Sequence, residues 1–213
     1  MRMMLCWDLS AIQRAIWAGV LVLALASSAV ASDVSSPIER LDAGLLQAMK
    51  MGRSSPFQQR YDLLAPLVDR AVDLDFILQT AIGARWVSLP ADQQAALKTT
   101  FRRFSVATFV AHFDKYGGER FDMLPASPSP GGGTIVRIRI TPGNPGDEAD
   151  VLGYVMRQTA GGWKAVDVIA DGSVSPVVAQ QSEIRSLFVR GGVAGLLARL
   201  QQKIAELSGG TLH

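Results

Sequence analysis

The hydrophobic pattern of the chain changes its period at Gly117-Gly118, which divides the sequence into a helical part and a sheet part. Before these glycines, apolar residues recur every three or four positions, as on one face of an amphipathic helix. After them, four segments with alternating patterns are joined by Pro/Gly-rich turns, which is typical of strands. Two amphipathic helices hinged at Gly191-Gly192 follow the last strand. Short turns favour an antiparallel meander, so the sequence predicts an α+β fold.

Four helices are predicted before Gly117. The first covers residues 37–50, where apolar residues repeat at helical spacing. The second begins with a capping signature in which Ser55 is the N-cap and Pro56 the first helical residue. Asp73 is expected to cap the third helix. The longest helix covers residues 90–116.

The longest helix carries apolar residues on two opposite faces, so it must bend or be covered on both sides. It is either a core helix between two packing layers or a helix with one face in the core and the other lining a cavity. The two sets are Leu97, Phe101 and Phe104 on one face, and Val106, Phe109, Val110, Phe113 and Tyr116 on the other.

The four predicted strands follow one another with short connections. Both faces of the last strand are largely apolar, so we expect it to be covered on both sides. The strands are Phe121–Leu124, Thr134–Thr141, Ala149–Gln158 and Gly162–Ala170.

The N-terminal residues 1–31 look like a secretory signal peptide. Residues 16–26 form an apolar core of 11 residues, the length of a signal core and too short for a permanent membrane span. Ala29-Val30-Ala31 has the small-x-small pattern of a cleavage site before Ser32. The alternative is a retained membrane anchor. We expect cleavage and export, with residues 32–213 forming a single domain.

The sequence contains few of the residues that usually carry out catalysis. Its only cysteine, Cys6, precedes the apolar core, and the mature histidines are His112, expected on the helix surface or capped, and the terminal His213. No spacing typical of a metal or hydrolase site occurs, so no metal, cofactor or catalytic residue is predicted. Asp167 could act as an acid or base if buried, although capping the turn after its strand is the commoner role. With 19 Lys/Arg against 18 Asp/Glu after cleavage, charge gives no reason to expect nucleic acid.

Several motifs, in this order behind a signal peptide, resemble those of the MlaC-type periplasmic phospholipid-binding proteins, also called toluene-tolerance auxiliary proteins. The resemblance extends from about Pro37 to Leu207 and includes the hopanoid-associated branch of the family. The motifs are the helix 95–116 with Gly117-Gly118; the strand TIVRIRI (134–140); Trp163, Ala165, Asp167, Ile169, Ala170, Gly172 and Ser173; and Arg190-Gly191-Gly192 followed by Gly195-Leu196-Leu197.

The resemblance implies a carrier that moves phospholipid across the periplasm. It implies a curved four-stranded antiparallel sheet, similar to that of nuclear transport factor, enclosed by N-terminal and C-terminal helices around an apolar pocket. The family partners would be the lipid-handling subunit of an inner-membrane ABC transporter and an outer-membrane lipoprotein complex. Whether the lipid is a phospholipid or a hopanoid stays open, as do transport direction and oligomeric state.

Three hypotheses follow for the function. The first is a lipid carrier without catalytic activity; the others are a curved-sheet enzyme using Asp167 and an envelope adaptor with a filled core. For the carrier, the predicted lipid-lining residues are apolar residues of the long helix and the strands. They are Phe104, Phe109, Phe113, Ile138, Ile140, Leu152, Tyr154, Met156, Val166 and Val168.

Overall fold

The structure, a computed structural model, describes residues 34–170 and 176–212. The predicted signal peptide with its cleavage site, Gly172, Ser173 and His213 lie outside the described residues. The described chain forms five helices, a short 3-10 helix and four strands, which confirms the predicted α+β class. The helices are α1 (34–51), α2 (Phe57–Ala71), α3 (Leu74–Ile82), the 3-10 helix Gly83–Ser88, α4 (Ala91–His112) and α5 (Pro176–Ser208). The strands are β1 (Arg120–Pro128), β2 (Thr134–Thr141), β3 (Asp150–Thr159) and β4 (Gly162–Ala170).

The caps of the early helices agree with the sequence at one position and differ at another. Asp73 caps α3 as predicted, because its Oδ1 accepts a hydrogen bond of 3.1 Å from the backbone N–H of Phe76. The predicted Ser55 cap of α2 is wrong. The Ser55 hydroxyl instead donates to the carbonyl of Met51 (3.1 Å) at the end of α1, and Pro56 occupies the N-cap position without a side-chain hydrogen bond.

The long helix α4 is covered on both apolar faces, but it ends at His112, four residues earlier than predicted. Phe101 on the first face and Val110 on the second are both buried in the core. Beyond the helix, the Phe113 ring lies 6.4 Å from that of Phe109 and 6.3 Å from that of Phe121 in β1. These rings therefore tie the end of α4 to the sheet.

The four strands form an antiparallel sheet in the order β1-β2-β3-β4, which confirms the predicted meander. The sheet is curved and open, and irregular pairing interrupts both edge strands. In β4, Tyr154 pairs with Val168 and Met156 with Ala165, so Val166 is an extra residue at a bulge. The prediction that β4 is covered on both sides is wrong at Ile169, whose exposed fraction is 38%.

The C-terminal helix α5 consists of two helical halves that meet at Gly192. The backbone there has φ 60° and ψ −155°, a left-handed conformation that strongly favours glycine and confirms the predicted hinge. α5 packs against α3, α4 and β4. Within the described residues, no helix is long and apolar enough to cross a bilayer.

Candidate functional site

A cavity of about 310 Å³ lies between β3 and β4 on one side and α3, α4 and the start of α5 on the other. Its volume is at the lower end of the range for small-molecule sites, and its wall is mostly apolar. The lining residues are Val72, Leu74, Ile77, Ser105, Thr108, Phe109, His112, Phe113, Leu152, Tyr154, Ala165, Asp167, Val168 and Gln180.

One stripe of α4 forms the helical wall of the cavity. Ser105, Thr108, Phe109 and His112 follow the i, i+3, i+4, i+7 spacing, so they share one face of the helix. Three of these four residues are polar, which is why a search for apolar periodicity finds only Phe109. The Thr108 hydroxyl donates to the carbonyl of Phe104 (2.9 Å), so this polar group is satisfied within the helix.

The β4 bulge decides which residues of that strand reach the cavity. Because Val166 is the extra residue, Ala165 and Val168 both pair with residues on the helix-facing side of β3. Tyr154, the partner of Val168, is 3% exposed and lines the cavity. Burial, reinforced by the Asp42 carboxylate, raises the pKa of Tyr154 above its ordinary value, so its phenol stays neutral.

The junction between α2 and α3 closes the wall beside β4. The backbone N–H of Asp73 donates to the carbonyl of Ala165 (2.8 Å), and Val72 forms an isolated parallel bridge with the same residue. Arg157 of β3 pairs with the Asp73 carboxylate (3.2 Å), and its guanidinium lies 3.8 Å from the centre of the Phe76 ring. Two strands are therefore tied to the helical wall at one point.

The polar groups of the lining differ in their exposure. His112, at the C-terminal end of the α4 stripe, is exposed, and Asp167 and Gln180 are half-buried. The carboxylate of Asp167 accepts a hydrogen bond from the N–H of Val168 (2.8 Å). Ser105, at the other end of the stripe, is only 6% exposed. The cavity therefore opens near His112 and reaches inward toward Ser105.

The structure brings five of the ten predicted lipid-lining residues together in the cavity wall. That these five contact a lipid stays a prediction. The five in the wall are Phe109, Phe113, Leu152, Tyr154 and Val168. Of the others, Phe104, Ile138 and Met156 are buried in the core, Ile140 packs against it, and Val166 is the half-buried bulge residue.

Nine lining residues were not among the predicted lipid-lining residues, although one of them, Asp167, was named from the sequence as a possible acid or base. The polar residues of the α4 stripe could have been predicted by extending one helical face from Phe109. His112 is exposed, as expected, and it also lines the cavity. The remaining residues come together only through the tertiary fold and the β4 bulge. The nine residues are Val72, Leu74, Ile77, Ser105, Thr108, His112, Ala165, Asp167 and Gln180.

The described part of the chain holds no cluster of three or more His, Cys, Asp or Glu side chains that could bind a metal ion. Among the described residues, the lining also includes no Lys or Arg, so these residues supply no permanent cation to pair with an anion inside the cavity. An apolar wall with polar groups at an exposed end suits a molecule with a hydrocarbon part and a polar end.

The fold and cavity thus define an α+β protein with an open, mostly apolar cavity between its helices and its sheet. The chain belongs to the MlaC protein family, whose model matches residues 39–202. It is similar in structure to a phospholipid-binding protein from Ralstonia solanacearum, determined in complex with a phospholipid, with a TM-score of 0.66 and 21% sequence identity. The similarity covers 83% of this chain and 99% of that chain. No curated protein matches the chain significantly.

Proposed function

We propose that this protein is a periplasmic lipid carrier that holds phospholipid acyl chains in the cavity between α4 and the sheet. The observation that carries the proposal is an open, mostly apolar cavity in a chain of the MlaC family. A further support is the shared fold with a phospholipid-binding protein. The carrier would exchange lipid with an inner-membrane ABC transporter subunit and an outer-membrane lipoprotein complex.

The physical need for such a carrier follows from the cost of exposing hydrocarbon to water. Each methylene group contributes about 0.8 kcal/mol, so a chain of 16 carbons exposed during the crossing would cost roughly 12 kcal/mol. An apolar cavity removes most of that barrier without breaking a covalent bond. Because bilayer and cavity are both apolar, transfer between them is close to neutral, and the partners must supply the direction.

The polar end of the lipid would stay near His112, Asp167 and Gln180, where water reaches the cavity wall. A charged headgroup drawn toward the buried Ser105 end would lose its hydration without gaining a cationic partner, which is unfavourable. A diacyl phospholipid is larger than the ligands that usually occupy about 300 Å³. We therefore expect one acyl chain to enter first, and the cavity to expand for a second.

The direct test is mass spectrometry of organic extracts from the purified, unheated protein. We expect co-purified lipid in stoichiometric amount, and its class separates phospholipid from hopanoid. The variant Ala165→Leu adds volume to a lining residue that is 1% exposed. Because the larger side chain would occupy space that the ligand needs, the affinity for a fluorescent phospholipid should fall roughly tenfold, about 1.4 kcal/mol of binding free energy.

The matched control is Val166→Leu, at the neighbouring bulge residue that is absent from the cavity wall. It should bind the fluorescent phospholipid as the unmodified protein does, and both variants should unfold cooperatively. A protein that carries no lipid and does not bind the fluorescent phospholipid would contradict the carrier hypothesis.

The enzyme hypothesis retains one supporting observation, since Asp167 lines the cavity. Asp167→Asn distinguishes the two functions. Loss of a turnover that the unmodified protein shows would favour the enzyme, whereas unchanged lipid content favours the carrier. The open cavity argues against the third hypothesis, an adaptor with a filled core.

A further inference from the structure

Ser105, a residue of the cavity wall, carries a buried polar atom that is unsatisfied. The residue is 6% exposed, and its Oγ has no hydrogen-bond partner among the described residues. Buried hydroxyl groups normally have a partner, because an unpaired one loses its hydration without compensation. On the same helix face, the Thr108 hydroxyl is already paired with the Phe104 carbonyl. Of the two hydroxyl groups in this stripe, only that of Ser105 therefore has no partner in the described part of the chain.

The position of Ser105 defines where along a bound molecule such a partner would lie. Ser105 precedes His112 by seven residues, almost two helical turns, so both residues face the same side of α4. At 1.5 Å per residue, they are separated by about 10 Å along the helix axis. His112 is exposed and Ser105 is buried, so the separation runs from the open end of the cavity inward.

We propose that the cavity selects a lipid whose hydrocarbon part carries a neutral oxygen, a hydroxyl or carbonyl, that hydrogen-bonds to the Ser105 hydroxyl. This inference rests on the proposed lipid-carrier function and adds a ligand class to it. The oxygen must be neutral because the lining residues that the structure describes include no Lys or Arg to balance a buried charge. Because Oγ is itself buried in the structure, this hydrogen bond requires a change of the Ser105 χ1 rotamer that turns Oγ toward the cavity without moving the helix.

A plain hydrocarbon chain would leave the Ser105 hydroxyl without a partner. A site that hydrogen-bonds a ligand oxygen discriminates against the analogue that lacks it, because a buried protein group is then unpaired. The polar end of the lipid would stay near His112, so the selected oxygen lies about 10 Å further inward. That distance places the selected oxygen within the hydrocarbon chain of the lipid, away from the lipid headgroup.

The test is displacement of cis-parinaric acid from the full chain by octadecanoic acid and a positional series of hydroxyoctadecanoic acids. We expect one hydroxyl position to bind roughly tenfold more tightly than octadecanoic acid, with weaker binding at the other positions. Ser105→Ala should remove this preference while still binding octadecanoic acid. Ser186→Ala, at an exposed serine of α5, is the matched control and should keep the preference.

The outcomes separate this inference from the proposed function. If octadecanoic acid displaces the probe but no hydroxyl position is preferred, the Ser105 inference is wrong and the carrier function stands. A preference that survives in Ser105→Ala also overturns the role of Ser105. If neither the probe nor any fatty acid binds, the Ser105 inference is wrong, and binding of the fluorescent phospholipid then decides whether the carrier function fails as well. Thermal unfolding of Ser105→Ala checks its fold, which alanine should preserve because it favours helix.

Discussion

Asp42 is a buried carboxyl group that should make the stability of the protein depend on pH. It lies on α1 with 7% of its surface exposed, and its Oδ1 has no hydrogen-bond partner among the described residues. Burial, reinforced by the negative charge of Glu39, raises the pKa of Asp42 from 3.8 to about 8. At neutral pH the folded protein therefore keeps this carboxyl group protonated.

The sign of the effect follows from the proton that unfolding releases. In the unfolded chain the pKa of Asp42 returns to about 4, so between pH 4 and 8 the folded state binds a proton that the unfolded state does not. The contribution of Asp42 to stability is fully present below pH 4 and is lost as the pH rises toward 8. The free energy of unfolding falls by about 1.4 kcal/mol per pH unit in this window.

Asp42→Asn removes this dependence while nearly keeping the shape of the side chain. Relative to the unmodified protein, the variant should gain roughly 2–3 kcal/mol in free energy of unfolding between pH 5 and pH 7, the slope taken over two pH units. Urea denaturation of both proteins at the two pH values measures the gain, and other titrating groups cancel in the comparison. Glu39→Gln removes only the lesser cause and should give a smaller gain. An Asp42→Asn effect that is equal at both pH values would refute the reasoning.

Two further predictions concern the contacts of the Asp73 side chain and the hinge of α5 at Gly192. Asp73→Ala removes the α3 cap and the partner of Arg157, so it should lower the free energy of unfolding by about 1–2 kcal/mol in urea denaturation. An unchanged free energy would show that neither contact stabilises the fold. Gly192→Ala should destabilise by about 1–2 kcal/mol because alanine strains at φ 60°. Its control, Gly195→Ala in the same helix, should stabilise by up to about 1 kcal/mol, since an added Cβ meets nothing within 4 Å. Equal changes in the free energy of unfolding for the two variants would show that the positive φ of Gly192 is not the cause of the destabilisation.

The sequence predicted the elements well where a local periodicity determined them. The helix of residues 37–50 and the strands β2, β3 and β4 follow from patterns that lie within each segment, and the meander follows from the short turns between strands. The predicted end of β1 at Leu124 is wrong, because the strand continues to Pro128 beyond an irregularity in its pairing with β2. The Gly191-Gly192 hinge was predictable because only glycine accepts the left-handed conformation without strain. The end of α4 was not predictable, because Phe113 leaves the helix to contact rings on both α4 and β1.

The cavity wall was harder to predict because two of its causes are absent from simple periodicity. The α4 stripe is mostly polar, so a search for apolar residues selects Phe104, which is in the core, and omits Ser105 and His112. In β4, strict alternation predicts that Val166 and Val168 lie on the same face of the strand. Because of the bulge, Ala165 lies on that face with Val168, and Val166 does not. A bulge is a property of the pairing between two strands, and the sequence of one strand does not reveal it.

An open apolar cavity is unusual inside a protein, because interiors are normally close-packed and unfilled space costs stability. Here the wall is held at two separate places. The Asp73 backbone is bonded to Ala165 on one side, and the Phe113 ring lies between Phe109 and Phe121 on the other. The first contact joins the junction of α2 and α3 to β4, and the second joins the end of α4 to β1. The helical side and the sheet side of the cavity can therefore remain separated. Ala165, the smallest lining side chain, leaves room between them that a ligand would fill.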